Sequence, residues 1–238
     1  MKLDLSQCLS SCGRGQALHP VIHIVDDDAS VRASTSFLLR SRGFSSEIYA
    51  SGEEFLKEAK LGVGCVLLDL RMPHLDGFAI QAELARRNLT IPVVMMTGHG
   101  DVPSAVRALR LGATDFIEKP FTEEALAQAV ERALAVSVER HEREARHGRA
   151  LARLRGLSPR ENQILRGVVA GMTNKEIARR FDISHRTVEM HRANMMRDLE
   201  CESLTDVIRL AIEADIAPLP REGGEQDNEP EIRKSAKS

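Results

Sequence analysis

The sequence predicts an α/β fold, a five-stranded parallel doubly wound sheet, followed by a separate and smaller all-α domain of four helices. Three observations predict it. Between Val21 and Leu134, five short apolar runs alternate with segments whose apolar residues recur at i, i+3 and i+4, which is the pattern of repeated strand–helix–strand units. Beyond Leu157 only the helical period continues, punctuated by Ser and Thr caps. Between the two lies "VSVERHEREARHGRA" (136–150), whose His, Arg and Glu leave little for a core. The expected organisation is a disordered leader at 1–19, the α/β domain at 20–135, a helical linker at 136–152, the helical domain at 153–216 and a disordered tail at 217–238.

The elements follow in order. "VIHIV" (21–25), "SSEIYAS" (45–51), "CVLLDL" (65–70), "PVVMMTG" (92–98) and "TDFIEKP" (114–120) read as strands. They are near-continuously apolar, as strands buried on both faces must be. The helices are "ASVRASTSFLLRSRG", "GEEFLKEAK", "FAIQAELARRN" and "VPSAVRALRLG", with Gly43 and Gly112 where helix C-caps belong. A fifth helix starts at "FTEEALAQAVERALA", with Thr122 as N-cap and Glu123 and Glu124 at the positive end of its dipole. The helical domain opens on Ser158, Pro159 and Glu161, a capping box that recurs at Thr173/Glu176 and Ser203/Asp206, with Ser184 starting a further helix. Its core is assigned to Ile164, Leu165, Val168, Ile177, Ala178, Ile183, Val188, Leu199, Leu204, Val207 and Ile208. After Ile216 the chain is rich in Pro, Gly and charge and poor in large apolar residues.

The 238 residues carry a formal net charge of −2 and are 42% hydrophobic, so the molecule as a whole does not advertise a nucleic-acid partner. One Tyr and no Trp argue against base stacking on exposed aromatics. Cys8 and Cys12 are spaced C-x3-C, a poor match to a zinc pattern, and with Cys65 and Cys201 they read as reduced thiols. No apolar run approaches the ~18 residues of a membrane span, and the N-terminal segment lacks a signal-peptide stretch. The expectation is a cytoplasmic protein with no membrane partner.

Carboxylates stand at the carboxyl ends of two predicted strands, where ligands of open parallel sheets bind. "VIHIV" runs into Asp26, Asp27 and Asp28, and "CVLLDL" delivers Asp69. Like charges at one sheet edge resist joint ionisation unless a cation neutralises them, and hard oxygen ligands leaving room for water suit Mg²⁺. Thr97 ends the fourth strand with a hydroxyl, and Lys119 ends the fifth with an ammonium before Pro120. A carboxylate nucleophile, a metal, a hydroxyl and a lysine make a site for phosphoryl transfer onto Asp69. A hydrolase of this type needs a second acid two residues after the nucleophile, where this chain has Arg71. Tyr49 and His99 lie near these strands and are assigned packing or solvent-facing roles.

The motifs "VDDD", "LLDLRMPHLDG", "MMTGHG" and "DFIEKPF" resemble the receiver domain of bacterial two-component response regulators, most of all the FixJ-like branch, over residues 21–134. The resemblance implies the flavodoxin-like strand order 2-1-3-4-5 and Asp69 as the phosphoacceptor. It implies Mg²⁺ held by Asp26, Asp27, Asp69 and the backbone carbonyl of Arg71, with Asp27 the more direct of the first pair. Thr97 and Lys119 would bind the phosphoryl group, Lys119 being followed by a cis peptide, and Phe116 would be the aromatic that repacks when Thr97 moves.

From Arg153 to Arg197 ten basic residues face four acidic ones, leaving six formal positive charges, the footprint of a phosphate-binding surface. "NKEIARRFDISHRTVEMHRANMMRDL" reads as helix, turn, helix, and its second helix exposes Arg186, Glu189, Met190, Arg192, Ala193 and Asn194. Set into a major groove, that helix meets base edges. The stretch 157–199 is similar to the LuxR-type DNA-binding domain found in FixJ- and NarL-like regulators, which implies a recognition helix at 185–199 and a last helix that pairs two copies on DNA. Thr187 falls on that recognition helix, and Lys175, Arg186, Arg192 and Arg197 are candidates for phosphate or base contacts. Where NarL-like proteins carry base-facing lysines, this chain has Glu189 and Ala193.

Together the two resemblances imply a transcriptional regulator that is not an enzyme beyond slow loss of its own phosphoryl group. Its implied partners are a sensor histidine kinase, double-stranded promoter DNA, RNA polymerase and, on phosphorylation, a second copy. The dimer face would carry Val106 and an Arg110–Asp115 pair between copies. The alternative is a receiver that acts as a phosphorylation-independent interaction module beside constitutive DNA binding.

Overall fold

The computed structural model describes residues 19–98 and 102–220. The expected leader up to residue 18 with Cys8 and Cys12, the residue His99, and the tail from 221 lie outside the described residues. The chain divides into two compact units, Met1–Arg143 and Glu144–Ser238.

In the first unit the strands are β1 (Val21–Val25), β2 (Ser45–Tyr49), β3 (Gly64–Asp69), β4 (Val93–Thr97) and β5 (Asp115–Glu118). They form one parallel sheet in the order β2-β1-β3-β4-β5. Between them run α1 (Ala29–Ser41), α2 (Gly52–Glu58), α3 (Gly77–Arg86) and α4 (Val102–Arg110). All six residues of β3 are buried, because its alternate side chains enter two different cores. Val66 and Leu68 pack with Phe55, Ile80 and Ala108 of α2, α3 and α4. Cys65 and Leu67 pack with Leu39 of α1 and with Leu126, Val130 and Leu134 of the helix that follows β5. A doubly wound sheet demands continuous hydrophobicity along its central strand for this reason. Burial pushes the Cys65 thiol up to about 12, so it is an inert part of that core.

Local chemistry sets the element ends. The predicted strand at 45–51 stops at Tyr49 because Ser51 turns extended and caps α2, accepting from the Glu54 N–H at 3.2 Å. Tyr49 packs: it is buried, and its hydroxyl donates to Glu47 at 2.7 Å beside the buried His23 ring. Gly43 and Gly112 both hold positive φ after their helices, at 81° and 94°, a conformation glycine adopts without a Cβ penalty.

The helix that follows β5 is longer than its apolar pattern. α5 is assigned to Glu123–Leu154, with Thr122 capping through the Ala125 N–H; its residues up to Arg143 belong to the first unit and the rest to the second. The segment read as a solvated linker from 136 is anchored at its start. Val138 is buried, and the Ser137 hydroxyl accepts from the Gly64 N–H at 3.0 Å at the foot of β3. One short polar side chain among charges satisfies a buried backbone donor, which no hydrophobic periodicity could signal.

The second unit holds α6 (Pro159–Val169), α7 (Asn174–Arg180), α8 (His185–Asp198) and α9 (Leu204–Glu213). The capping boxes at Ser158, Thr173 and Ser203 are all formed, and Ser184 caps α8 through the Thr187 N–H. Ile164, Val168, Ile177 and Val188 form one core cluster, and Leu165, Met195, Leu199, Val207 and Leu210 another. Ile183, Leu204 and Ile208 only flank the first of these. A Cβ on Gly167 would stand 3.0 Å from the Ile177 side chain, so this glycine lets α6 and α7 approach. Residues 217–220, expected to begin a disordered tail, are instead tied to α6. The Leu219 N–H donates to the Arg166 carbonyl at 3.1 Å, and the Arg166 Nε donates to the Ala217 carbonyl at 3.0 Å. Among the described residues no helix is long and apolar enough to cross a membrane.

Ser137→Ala strands the buried Gly64 N–H, so a loss of about 1–3 kcal/mol in urea-unfolding stability is expected. An unchanged midpoint would show that the start of the linker does not anchor the sheet.

Candidate functional site

The parallel register converts the strand ends into one site. Val25 of β1 stands opposite Leu68 of β3, so the next residues, Asp26 and Asp69, emerge side by side. Asp26, Asp27 and Asp69 bring carboxylate oxygens within 4.8 Å of one another. Lys119, just past β5, reaches across the end of β4 and places its Nζ 2.5 Å from Asp26 Oδ2 and 2.8 Å from Asp69 Oδ1. Thr97 is buried at the end of β4, and its carbonyl accepts the Lys119 N–H at 2.6 Å. The Lys119–Pro120 peptide is cis. Phe116 is half-buried against the core. Asp28, the third acid, is otherwise employed. It caps α1, accepting from the N–H groups of Ser30 and Val31, and those bonds hold its carboxyl below the usual range.

Burial pushes the Asp69 carboxyl upward, Lys119 opposes the shift, and the charges of Asp26 and Asp27 add to it. Burial lowers the pKa of the Lys119 ammonium, but its bonds to Asp26 and Asp69 outweigh this and raise it. The site therefore gathers three carboxylates around one ammonium, a surplus of negative charge formed from hard oxygens. That donor set fits Mg²⁺, with Asp27 the exposed member and so the one open to a hydrated ion. Arg71 is exposed and, with Asp27, Asp76, Ser104 and Arg107, lines a shallow cavity of about 550 Å³ beside the acids. The Arg107 guanidinium stacks 4.2 Å above the Phe78 ring.

α4 presents a second feature. Val102, Val106 and Leu109 are 73%, 40% and 51% exposed at i, i+4 and i+7, an apolar stripe on a surface helix. Val106 is the one of the three expected from the sequence at a dimer face. Arg110 is exposed beside the stripe. Asp115, expected to meet Arg110 of another copy, is engaged within its own chain: its Oδ2 accepts from Arg132 Nε at 2.9 Å and its Oδ1 from the Phe116 N–H at 2.9 Å. Arg132 went unnoticed because it becomes Asp115's neighbour only when α5 lies over β5.

In the second unit, Val188 and Met195 pin α8 to the core, and the opposite face carries Arg186, Glu189, Met190, Ala193 and Arg197, all exposed. Lys175 of α7 is exposed too, while Asn194 is half-buried. Two candidates have structural duties. The Thr187 hydroxyl shares a 2.7 Å hydrogen bond with Ser184 at the cap, and Arg192 donates to Asn174 Oδ1 across the two helices. Asn174 is the residue the sequence reading missed, since only the helix crossing brings it to Arg192. His185 Nδ1 lies 3.5 Å from Glu189, and Arg197 Nε 3.2 Å from Asp198.

Residues 22–131 match the family described as the response regulator receiver domain, and residues 155–211 match the bacterial regulatory proteins of the luxR family. The chain is 43% identical over 194 residues to the transcriptional regulatory protein FixJ of Bradyrhizobium diazoefficiens, covering 81% of this chain and 95% of that protein. It is 44% identical over 200 residues to FixJ of Rhizobium meliloti, covering 83% and 97%. Among solved structures, the response regulator StyR superposes with a TM-score of 0.71 at 37% identity, covering 82% of this chain and all of that one.

A Cβ on Gly77 would stand 2.6 Å from the Asp69 carbonyl oxygen and 3.1 Å from the Leu70 Cα. Gly77→Ala is expected to cost about 1–3 kcal/mol through overpacking, read by denaturant unfolding, and to displace the Asp69 end of β3.

Proposed function

The chain belongs to the FixJ-like response regulators, transcription factors that join a receiver domain to a LuxR-type DNA-binding domain, and from that premise we propose that phosphorylation of Asp69 by a sensor histidine kinase switches its binding to promoter DNA. The observation that carries this reading is the Lys119 ammonium bridging Asp26 and Asp69 at the sheet edge, with Asp27 beside them. A carboxylate delivered rigidly by a buried strand is a nucleophile whose position costs nothing further at the moment of reaction.

In the transfer, an Asp69 oxygen forms a bond to phosphorus as the bond to the kinase's histidine nitrogen breaks. Lys119 stays charged and neutralises oxygens of the transferring group, and the Thr97 hydroxyl donates to one of them. Asp26, Asp27, Asp69 and the Arg71 carbonyl would hold Mg²⁺, which would supply further charge neutralisation when bound. The phosphoryl group adds negative charge and acceptor oxygens where Lys119 now bridges two carboxylates. Thr97 and the half-buried Phe116 then bias a pre-existing equilibrium in α4 and β5.

The stripe of Val102, Val106 and Leu109 is the surface through which two phosphorylated copies would pair. Arg110 of one copy would then have to share Asp115 of the other with Arg132, so this ion pair contributes register, about 0.2–1 kcal/mol, more than strength. A dimer presents two α8 helices to half-sites about one DNA turn apart, with RNA polymerase as the downstream partner. Self-dephosphorylation by water is the slow return step.

With Mg²⁺ and a small-molecule phosphoryl donor, the wild-type chain is expected to gain one phosphoryl mass and to sediment as a dimer, and Asp69→Asn to do neither. Chelating Mg²⁺ should abolish the adduct. Val106→Asp should retain the adduct and lose the dimer. An adduct with no change in sedimentation would remove dimerisation from the mechanism, and no adduct would favour phosphorylation-independent DNA binding.

A further inference from the structure

The outer face of α8 has an uncommon chemistry for a helix on a basic surface. Its middle positions carry no cation. Glu189, Met190 and Ala193 are all exposed, and Met190 leaves 52% of its surface open. The cations stand at the ends of the face, Arg186 before this group and Arg197 after it, while Arg192 is tied sideways to Asn174. An acid in the centre of a surface that approaches phosphates weakens binding to every sequence alike. It is repaid only by a donor on a base edge. His185, one turn earlier, places its Nδ1 3.5 Å from the Glu189 carboxylate.

Resting on the DNA-binding reading above, we propose that Glu189 is a specificity-determining residue that reads cytosine in the major groove, with Met190 and Ala193 taking the methyl group of a thymine within the next two base pairs. The major-groove edges of the bases decide between the alternatives. Guanine offers acceptors only, and thymine an acceptor and a methyl, so both repel or ignore a carboxylate. Adenine offers its N6 donor beside the N7 acceptor, which faces the second carboxylate oxygen with another lone pair. Cytosine alone offers a donor, N4, with no acceptor on its own edge. Four residues of helix rise span about 6 Å, close to two base steps, so Glu189 and Ala193 reach positions about two base pairs apart in one half-site. The two apolar side chains cannot bond to any base, and the thymine methyl is the apolar group this groove presents.

The test is selection of bound sequences from duplex DNA with a randomised window, using the phosphorylated full-length wild type, Glu189→Ala and Glu189→Gln. Wild type is expected to enrich a half-site holding one cytosine position, favoured by about fivefold or more. Glu189→Ala should level the preference at that position alone, leave the rest of the half-site intact, and bind unselected duplex at least as well, having lost a negative charge. Glu189→Gln should shift the preference at the same position toward adenine, whose N6 and N7 match an amide. An unchanged cytosine preference in the alanine variant would overturn the assignment. Loss of all duplex binding in both variants would also overturn it, by making Glu189 a scaffold residue. If wild type enriched nothing, the DNA-binding reading itself would fail, an outcome distinct from both.

Discussion

The ammonium of Lys119, shared between Asp26 and Asp69, is the interaction around which the first unit is organised. The two carboxylates are nearly inaccessible to water, and taking such charges out of solvent is tolerable only when they are paired. Register alone places them together, since β1 and β3 are hydrogen-bonded neighbours. The lysine follows β5, two strands from β3, and its side chain bridges to both carboxylates past the end of β4. Thr97 ends β4 at the same edge, where its carbonyl holds the Lys119 N–H, and Phe116 packs half-buried on the core from β5. A site assembled from four strand ends is rigid because the sheet is rigid, and its charge balance is left incomplete in a way that suits a hard cation.

The second unit rests on a different device. Four of its helices start at Ser or Thr caps, which fix where each helix begins before any packing is considered. The hydrogen bond between Arg192 and Asn174 then ties α8 to α7, so that α8 is held by a polar contact as well as by Val188 and Met195. Such a reader keeps its outer side chains available because its inner ones do the holding.

Prior commitments of polar side chains sort the candidates in both units. Asp28 and Asp27 are adjacent acids, yet the first is spent on capping α1 and the second is exposed at the cluster. Arg166 belongs to the basic tally, but its guanidinium holds the Ala217 carbonyl. Thr187 and Arg192 are similarly committed, and Asp115 already has Arg132. Residue type nominates a functional group, and its existing partners decide whether it is at liberty to act.

Much of this was legible in the sequence. Asp26, Asp27, Asp69, Thr97 and Lys119 could be placed together because each ends an apolar run, and strand ends of a parallel sheet share one edge. The caps at Ser158, Thr173, Ser184 and Ser203 could be read because capping is a contact between residues three apart. The apolar periodicity likewise separated an α/β domain from a helical one. What stayed hidden depends on distance along the chain. Arg132 meets Asp115, Ser137 meets Gly64, Asn174 meets Arg192 and Leu219 meets Arg166 only after helices have docked, and nothing local to either partner encodes the meeting. The sequence by itself determined the order and type of the elements, the helix caps and the chemistry gathered at the sheet edge, because those follow from local periodicity and caps. Only the tertiary structure decided which polar groups are already taken, because satisfying a buried or half-buried polar atom is a property of the packed neighbourhood.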